Sequence, residues 1–381
     1  MMARKVGFTP NEVKVWLNIK QASRKCGQPS QILFTSFFIL EFLMKKSLIA
    51  LAVLAVSSAV CAQSTVTVYG LLDVNLNSTK TSNVTQTKID SAGIQTSRFG
   101  FKGSEDIGGG LKVNFKLESG FRLDTGAIPN NGPTNSSLFS RQSWAGVSGN
   151  FGEVQLGKMW TPFDDLQGLG AAAFNANIFA PAAYVWQSNN YNDRPGNSIY
   201  YATPTFSGFS GAVMYSLGEN KTTTTSAGNV TSFRIGYEGG PVAVGLGYQT
   251  EKASGAVANA TKFTQVNASY DLGVAKLLAA YGNVKDATGV PKTAEYQFGA
   301  DFPVSSALTL SAGYATSKDT GLTVVAPVGS EIKRTGFAVG ALYALSKRTN
   351  LYAGLNNSKT TQSGVADAKT NVYAAGIRHT F

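Results

Sequence analysis

Residues 97–118 read SRFGFKGSEDIGGGLKVNFKLE. In the first half Phe99 and Phe101 alternate with Arg98, Gly100 and Lys102. In the second half Leu111, Val113, Phe115 and Leu117 alternate with Lys112, Asn114, Lys116 and Glu118. Successive side chains of a strand point to opposite faces, so two strands with one apolar and one charged face are predicted. Ile107-Gly108-Gly109-Gly110 supplies the turn between them, because glycine reaches positive φ without a Cβ clash. The fold depends on whether the apolar face meets a protein core or lipid.

The chain from Gln63 to Phe381 repeats this pattern. Segments of about ten alternating residues recur between turn or loop signals, with no run of 18 apolar residues; this is the pattern of a transmembrane β-barrel. Sixteen candidate strands can be counted, from TVTVYGLLDVNL, with Val66, Val68, Leu72, Val74 and Leu76 on one face, to TNVYAAGIRHTF at the end. Tight turns alternate with longer polar loops at 78–94, 123–137, 161–197, 219–230, 251–261 and 317–332. A set of soluble β-sandwiches could supply as many strands, but would not keep this loop parity and would carry more charge on its outer faces. The expected fold is therefore all-β, a 16-stranded antiparallel transmembrane barrel whose third long loop, 161–197, is functional because of its length. Tyr69, Tyr215, Tyr237, Tyr248, Tyr270, Tyr281, Tyr314 and Tyr343 lie near strand ends, as an interfacial belt requires, or as buried sheet aromatics would. The last strand runs to Phe381 and is expected to pair with the first, leaving no open edge in lipid.

The N-terminal part is of another kind. Lys45 and Lys46 precede an apolar run from Leu48 to Val56, followed by small residues ending Val60-Cys61-Ala62. This is the plan of a signal peptide, 44–62, with cleavage expected after Ala62. Met44 stands directly before the two lysines, so residues 1–43 read as an upstream extension, the alternative being an N-terminal anchor. Removing 1–62 takes eight of 33 basic and two of 22 acidic residues, leaving 25 and 20, a formal +5 in place of +11. That balance does not point to nucleic acid. Both cysteines, Cys26 and Cys61, go as well, which excludes disulfides and thiol chemistry.

Enzymatic readings fare poorly. The barrel region 63–381 holds one histidine, His379, at the end of the closing strand, so a Ser–His nucleophile is not expected and no catalytic residue is assigned. Without cysteine or a second histidine, no metal site or cofactor is expected. Gly168-Leu169-Gly170 follows no strand–helix unit and is no dinucleotide loop.

Five stretches carry a family resemblance: VTVYGLLDVNL, SRFGFKGSEDIGGGLKVNFKLESGF, SLFSRQSWAGVSGNFGEVQLGKMWTPFDD, NSIYYATPTFSGF and the C-terminal GIRHTF. In this order, on a sixteen-strand count, the chain resembles the general outer-membrane porins of β-proteobacteria. The resemblance implies a homotrimer of barrels in the outer membrane, each with its third long loop folded inward. It also implies contact with lipid and lipopolysaccharide, insertion by the barrel-assembly machinery with Phe381 as the C-terminal signal, and passive diffusion of ions and small hydrophilic solutes. A substrate-specific channel or a surface adhesin on the same barrel is the alternative, and the aromatics of loop 161–197 (Phe163, Phe174, Phe179, Tyr184, Trp186, Tyr191) leave a stacked path open.

Strand parity nominates lumen residues. Phe99, Phe101 and Leu117 outward place Arg98, Lys102, Lys116 and Glu118 inward; Trp144 outward would place Arg141 and Ser143 inward; Phe233 and Ile235 outward place Arg234 and Glu238 inward. Lys158 falls on outward parity unless a bulge intervenes. The resembling family sets wall arginines against acidic groups at a constriction. Carried onto this sequence, the basic set is Arg98, Arg141 and Arg194, with Lys102, Lys116 and Arg234; the acidic set is Glu118 with Asp164, Asp165 or Asp193. The expected outcome is a water-filled pore with mild anion preference.

Overall fold

The structure, a computed structural model, describes residues 65–128, 137–255, 259–321 and 331–381. The expected upstream extension 1–43 and signal peptide 44–62 lie outside these residues. Seventeen strands form one antiparallel sheet closed on itself. They are β1 (Thr65–Thr81), β2 (Val84–Ser91), β3 (Arg98–Gly108), β4 (Leu111–Gly120), β5 (Gln142–Gly149), β6 (Gly152–Lys158), β7 (Ser198–Ala202), β8 (Phe209–Ser216) and β9 (Asn229–Gly239). β10 (Val242–Lys252), β11 (Thr261–Asp271), β12 (Lys276–Lys285), β13 (Lys292–Pro303), β14 (Leu308–Thr320), β15 (Ile332–Ala344), β16 (Thr349–Gln362) and β17 (Val365–Thr380) complete the circuit.

The seventeen strands fill sixteen wall positions, because β2 and β3 share one. β1 pairs with β2 along Val74–Thr81 and with β3 along Thr65–Leu71. The stretch 92–97 leaves the ladder between them. Its neighbours repair the gap with side chains: the Asp73 amide donates to Ser97 Oγ (2.9 Å), Ser97 Oγ donates to the Asp73 carbonyl (3.1 Å), and the Ala92 amide donates to the same carbonyl (2.9 Å). The expected loop 78–94 is therefore corrected. Most of it is ladder, because the Thr/Asn/Gln/Lys alternation of 78–90 is itself strand-compatible when both faces are wet.

Closure runs through β1 and β17 in register from Leu71↔Thr380 to Thr81↔Thr370. Gly70 and Phe381 exchange backbone hydrogen bonds of 3.0 and 3.1 Å beyond that register. The Phe381 ring lies so close over Gly70 that a Cβ there would sit 2.2 Å from it, so the terminal aromatic needs glycine opposite.

Burial follows parity in the sense opposite to a soluble protein. Val66, Val68, Phe298 and Phe337 are exposed on the outer face, while Asp73, Asn75, Gln249, Gln265, Gln297 and Asn356 are buried inside. At Gly108, Gly109 and Gly110 φ is +87°, +63° and +78°, the left-handed turn for which the glycine run is suited.

Three side chains lie on the face opposite to expectation. Trp144 pairs with Lys116, and Ser143 with Leu117, so Trp144 points inward and Ser143 outward. The indole finds in the lumen both things it needs: Gln142 Oε1 accepts from Nε1 at 3.2 Å, and its body packs on a cluster of Met159, Tyr200, Ala212 and Met214. Tyr69, read as a belt aromatic, pairs with Gly100 and also points inward. Its parity with Asp73 carried that information.

Candidate functional site

The segment after β6, from Met159 to Asn197, contains four 3-10 turns and lies against inward-pointing residues of β9 to β16. Ser232 Oγ accepts from the Phe163 amide (3.1 Å), and Gln265 Nε2 donates to the Phe163 carbonyl. Gln297 Nε2 donates to Gly170 O (3.0 Å), the Ala173 amide to Ser311 Oγ (2.8 Å), and Ser317 Oγ to Val185 O (2.7 Å). Asn356 Nδ2 donates to Ala180 O (2.9 Å), and the Ser188 amide donates to Glu295. An uncharged loop backbone inside a barrel needs such partners, and the polar parity of the strands provides them.

The apolar contacts use wall glycines. Phe179 lies over Gly354, Phe174 over Gly340, Val185 over Gly336, Ala172 over Gly299 and Gly313, and Leu166 over Gly245. Phe163 packs edge-on to Tyr191 and Phe263. Phe163, Phe179, Trp186 and Tyr191 are therefore buried as anchors between loop and wall and do not form an open stacked path.

Opposite the loop, β3 and β4 carry the charged wall. Glu118, 2% exposed, is its centre. Its Oε1 accepts from Arg141 Nε at 2.7 Å, and its Oε2 accepts from the Tyr69 hydroxyl at 2.8 Å. Lys116 Nζ and Arg98 Nε lie 3.8 and 3.9 Å from Oε2. One carboxylate thus serves three cations. Arg141 sits before β5, where parity does not apply; its amide donates to the Glu118 carbonyl at 3.1 Å, and this turns its side chain inward. The guanidinium groups of Arg141 and Arg194 both pack over the Trp160 ring, at 5.1 and 4.2 Å from its centre. Arg194 pairs with Asp193 at 3.0 Å, while its Nε and Nη1 are buried with no hydrogen-bond partner among the described residues.

A cavity of about 720 Å³ lies between the two sides. Its lining brings together Arg98, Lys116, Glu118, Arg141, Asp164, Asp193 and Arg194, with the uncharged loop residues 174–177 facing them. Three nominated residues stand elsewhere. Lys102 projects beside the Tyr69 ring, 5.4 Å from its centre. Asp165 and Arg234 pair at 3.0 Å, joined by Tyr200 Oη (3.1 Å from Asp165) and Ser210 Oγ (3.1 Å from Arg234), and they fasten the start of the loop to β7–β9. Parity alone sets Lys158 outward unless a bulge intervenes. Gly157, at φ +134°, distorts the strand end, and Lys158 Nζ donates to the Arg194 carbonyl at 2.6 Å. The glycine was the available signal; Trp160 had none.

On the loop side, burial pushes the Asp164 carboxyl up to about 7. The nearby Asp193 and Asp165 charges add to the rise, and the Tyr191 hydroxyl donating to Asp164 opposes it. Burial also raises Asp165, with Arg234 holding it down in part.

Comparison with known proteins gives this architecture a family. Residues 47–363 match the Gram-negative porins. Outer membrane porin protein 32 of Delftia acidovorans is 33% identical over 351 residues, covering 88% of this chain and 95% of that protein. The structure of an anion-selective porin from Comamonas acidovorans matches with a TM-score of 0.69 at 28% identity, over 84% of this chain and all of that one. An outer membrane protein of Vibrio cholerae, OmpT in its trimer form, shares the fold with a TM-score of 0.62 at 19% identity, over 84% of this chain and 99% of that one. The chain belongs to the Gram-negative porin family, as an outer-membrane β-barrel that acts as a passive channel for ions and small hydrophilic solutes and not as an enzyme.

Proposed function

We propose that the cavity between the charged wall and loop 159–197 is the constriction of this channel, and that it gives the channel a mild anion preference. The observation that carries this reading is the sharing of Glu118: Arg98, Lys116 and Arg141 converge on a single carboxylate, so the wall keeps an excess of positive charge. Arg194 adds buried N–H groups with no acceptor among the described residues. On the loop side Asp193 is paired with Arg194, and burial raises the Asp164 carboxyl to about 7, which weakens its negative charge.

The magnitude is small. Two unit charges ~8 Å apart in watery surroundings interact by about 0.5 kcal/mol, and salt screens over a similar length. A cluster of arginines biases flux severalfold and does not exclude cations. The similar Comamonas porin is named anion-selective, which agrees with this reading.

The test is a planar bilayer under a salt gradient. An anion-directed reversal potential that shrinks stepwise in R98Q, R141Q and R194Q is expected. A cation preference that these substitutions leave unchanged would sink the charge assignment. A solute-specific channel is the competing reading, and flux that saturates at low solute concentration would favour it.

The same reading takes the molecule as a homotrimer, in line with the trimer form of the Vibrio protein of like fold. It places residues 44–62 as a cleaved signal peptide ahead of the barrel domain 63–381. It takes membrane lipid and lipopolysaccharide as surroundings, and Phe381 as the group offered to the barrel-assembly machinery. Cross-linking in detergent and N-terminal sequencing of the mature protein test the first two points.

A further inference from the structure

We infer that Asp73, buried in the wall, is the positioning residue that holds two edges of the constriction in place. The inference rests on the reading of the cavity as the constriction. It starts from the gap in the second wall position. Residues 92–97 leave the ladder there, and three successive amides turn toward one carboxylate. Gly93 N donates to Asp73 Oδ1 at 2.9 Å, while Ile94 N and Gln95 N donate to Oδ2 at 3.0 and 2.8 Å. The Tyr352 hydroxyl from β16 donates to Oδ1 at 2.5 Å. Asp73 is 0% exposed. A carboxylate bound by successive backbone N–H groups and a phenol makes charge-assisted bonds, roughly twice as strong as neutral ones.

The turn held in this way carries the loop. Its carbonyls at Gly93 and Ile94 accept from the amides of Ile178 and Asn177, both at 3.2 Å, and the Ala92 carbonyl accepts from Asn177 Nδ2 at 3.2 Å. The Tyr352 ring packs on Phe179, with centroids 6.2 Å apart. Position 93 admits only glycine beside that tyrosine, since a Cβ would stand 2.0 Å from Tyr352 Oη. In the other direction the turn leads to Thr96, whose carbonyl accepts from Arg98 Nη1 at 3.2 Å. One carboxylate therefore sets both the loop apex at 177–178 and the orientation of the arginine on the charged wall.

A purely structural Asp73 would stabilise the barrel and leave the aperture unaffected, so the test reads the aperture directly. A spin label is placed at Asn175→Cys, an exposed position on the cavity lining outside the bonds named above, in a chain with Cys26 and Cys61 replaced by serine. With Asp73 intact the label is expected to give a broad, immobilised spectrum. In D73A the barrel should remain resistant to SDS while the spectrum narrows, the open-channel current noise rises and the reversal potential moves toward zero. D73N, which keeps one acceptor oxygen, should fall between, and Y352F should give a smaller change of the same sign. R98Q should reduce anion preference with the label still immobile. An immobile label and parental noise in a folded D73A would overturn the inference. Should D73A fail to fold, the same result in both D73N and Y352F would overturn it. An unselective parent channel would count against the charge reading alone, because label mobility does not depend on it.

Discussion

The Phe179 ring occupies the space that a side chain on Gly354 would need: a Cβ at 354 would stand 2.4 Å from Phe179 Cδ2. G354A should therefore displace the middle of the loop from β16. Overpacking of this kind costs about 1–3 kcal/mol. The expected result is a barrel that still folds, melts at lower temperature and has a changed unit conductance. G364A is the comparison, since nothing lies within 4 Å of a Cβ there, although its φ of +75° adds some backbone strain. Identical conductance in G354A and the parent would show that the loop can shift elsewhere without altering the aperture.

Glu118 neutralises part of a three-cation cluster. In E118Q, Arg98, Lys116 and Arg141 lose their shared carboxylate while the side-chain shape is kept. Arg141 is buried, and leaving a buried charge without its partner costs about 3–5 kcal/mol, so the thermal midpoint should fall. Anion permeability relative to cation permeability should rise, read as a larger reversal potential in the same salt gradient. A shift toward cations would mean that Glu118 does not act on the permeating ions.

A pH response of the channel is expected from Asp164. Its carboxyl is raised to about 7 chiefly by burial, so it takes up a proton as pH falls through that value. A negative charge is then lost from the loop side of the cavity, beside Asp193, Asp165, Tyr191 and Arg194. Between pH 8 and pH 6 the anion preference should increase, and D164N should abolish most of that change. A D164N channel with the parental pH profile would assign the response to another group.

Arg234 provides a negative control on the wall. It pairs with Asp165 outside the cavity lining. R234Q is expected to leave the reversal potential close to the parental value while increasing current noise, because it frees the start of the loop. A loss of anion preference as large as that in R98Q would return Arg234 to the ion path.

Much of this molecule is legible in its sequence. Alternation carries the barrel, since a strand between lipid and water has one apolar and one polar face, and Phe99 and Phe101 against Arg98 and Lys102 state it directly. Parity failed where a strand ends or bends. Arg141 precedes β5, and Lys158 follows Gly157 at φ +134°, so neither obeys the period of two. The apolar bulk of Trp144 suggests lipid, whereas Met159 and Tyr200 make part of the lumen dry and receive it there. The register of the loop was not legible. It depends on which wall glycines its side chains meet, for example Phe174 on Gly340, and these pairs lie far apart in the chain with no local signal.

The gap at 92–97 separates two dimensions that a plain barrel ties together. Strand number and tilt set the girth of a closed sheet. On the proposed reading the constriction is bounded instead by the wall segment 92–97 and by loop residues 177–178, whose amides bond to the Gly93 and Ile94 carbonyls. Adding or removing a residue in that segment would resize the opening while the ladder, the closure at Phe381 and the outer apolar band stayed as they are. On that reading, aperture and barrel girth are set by separate parts of the chain.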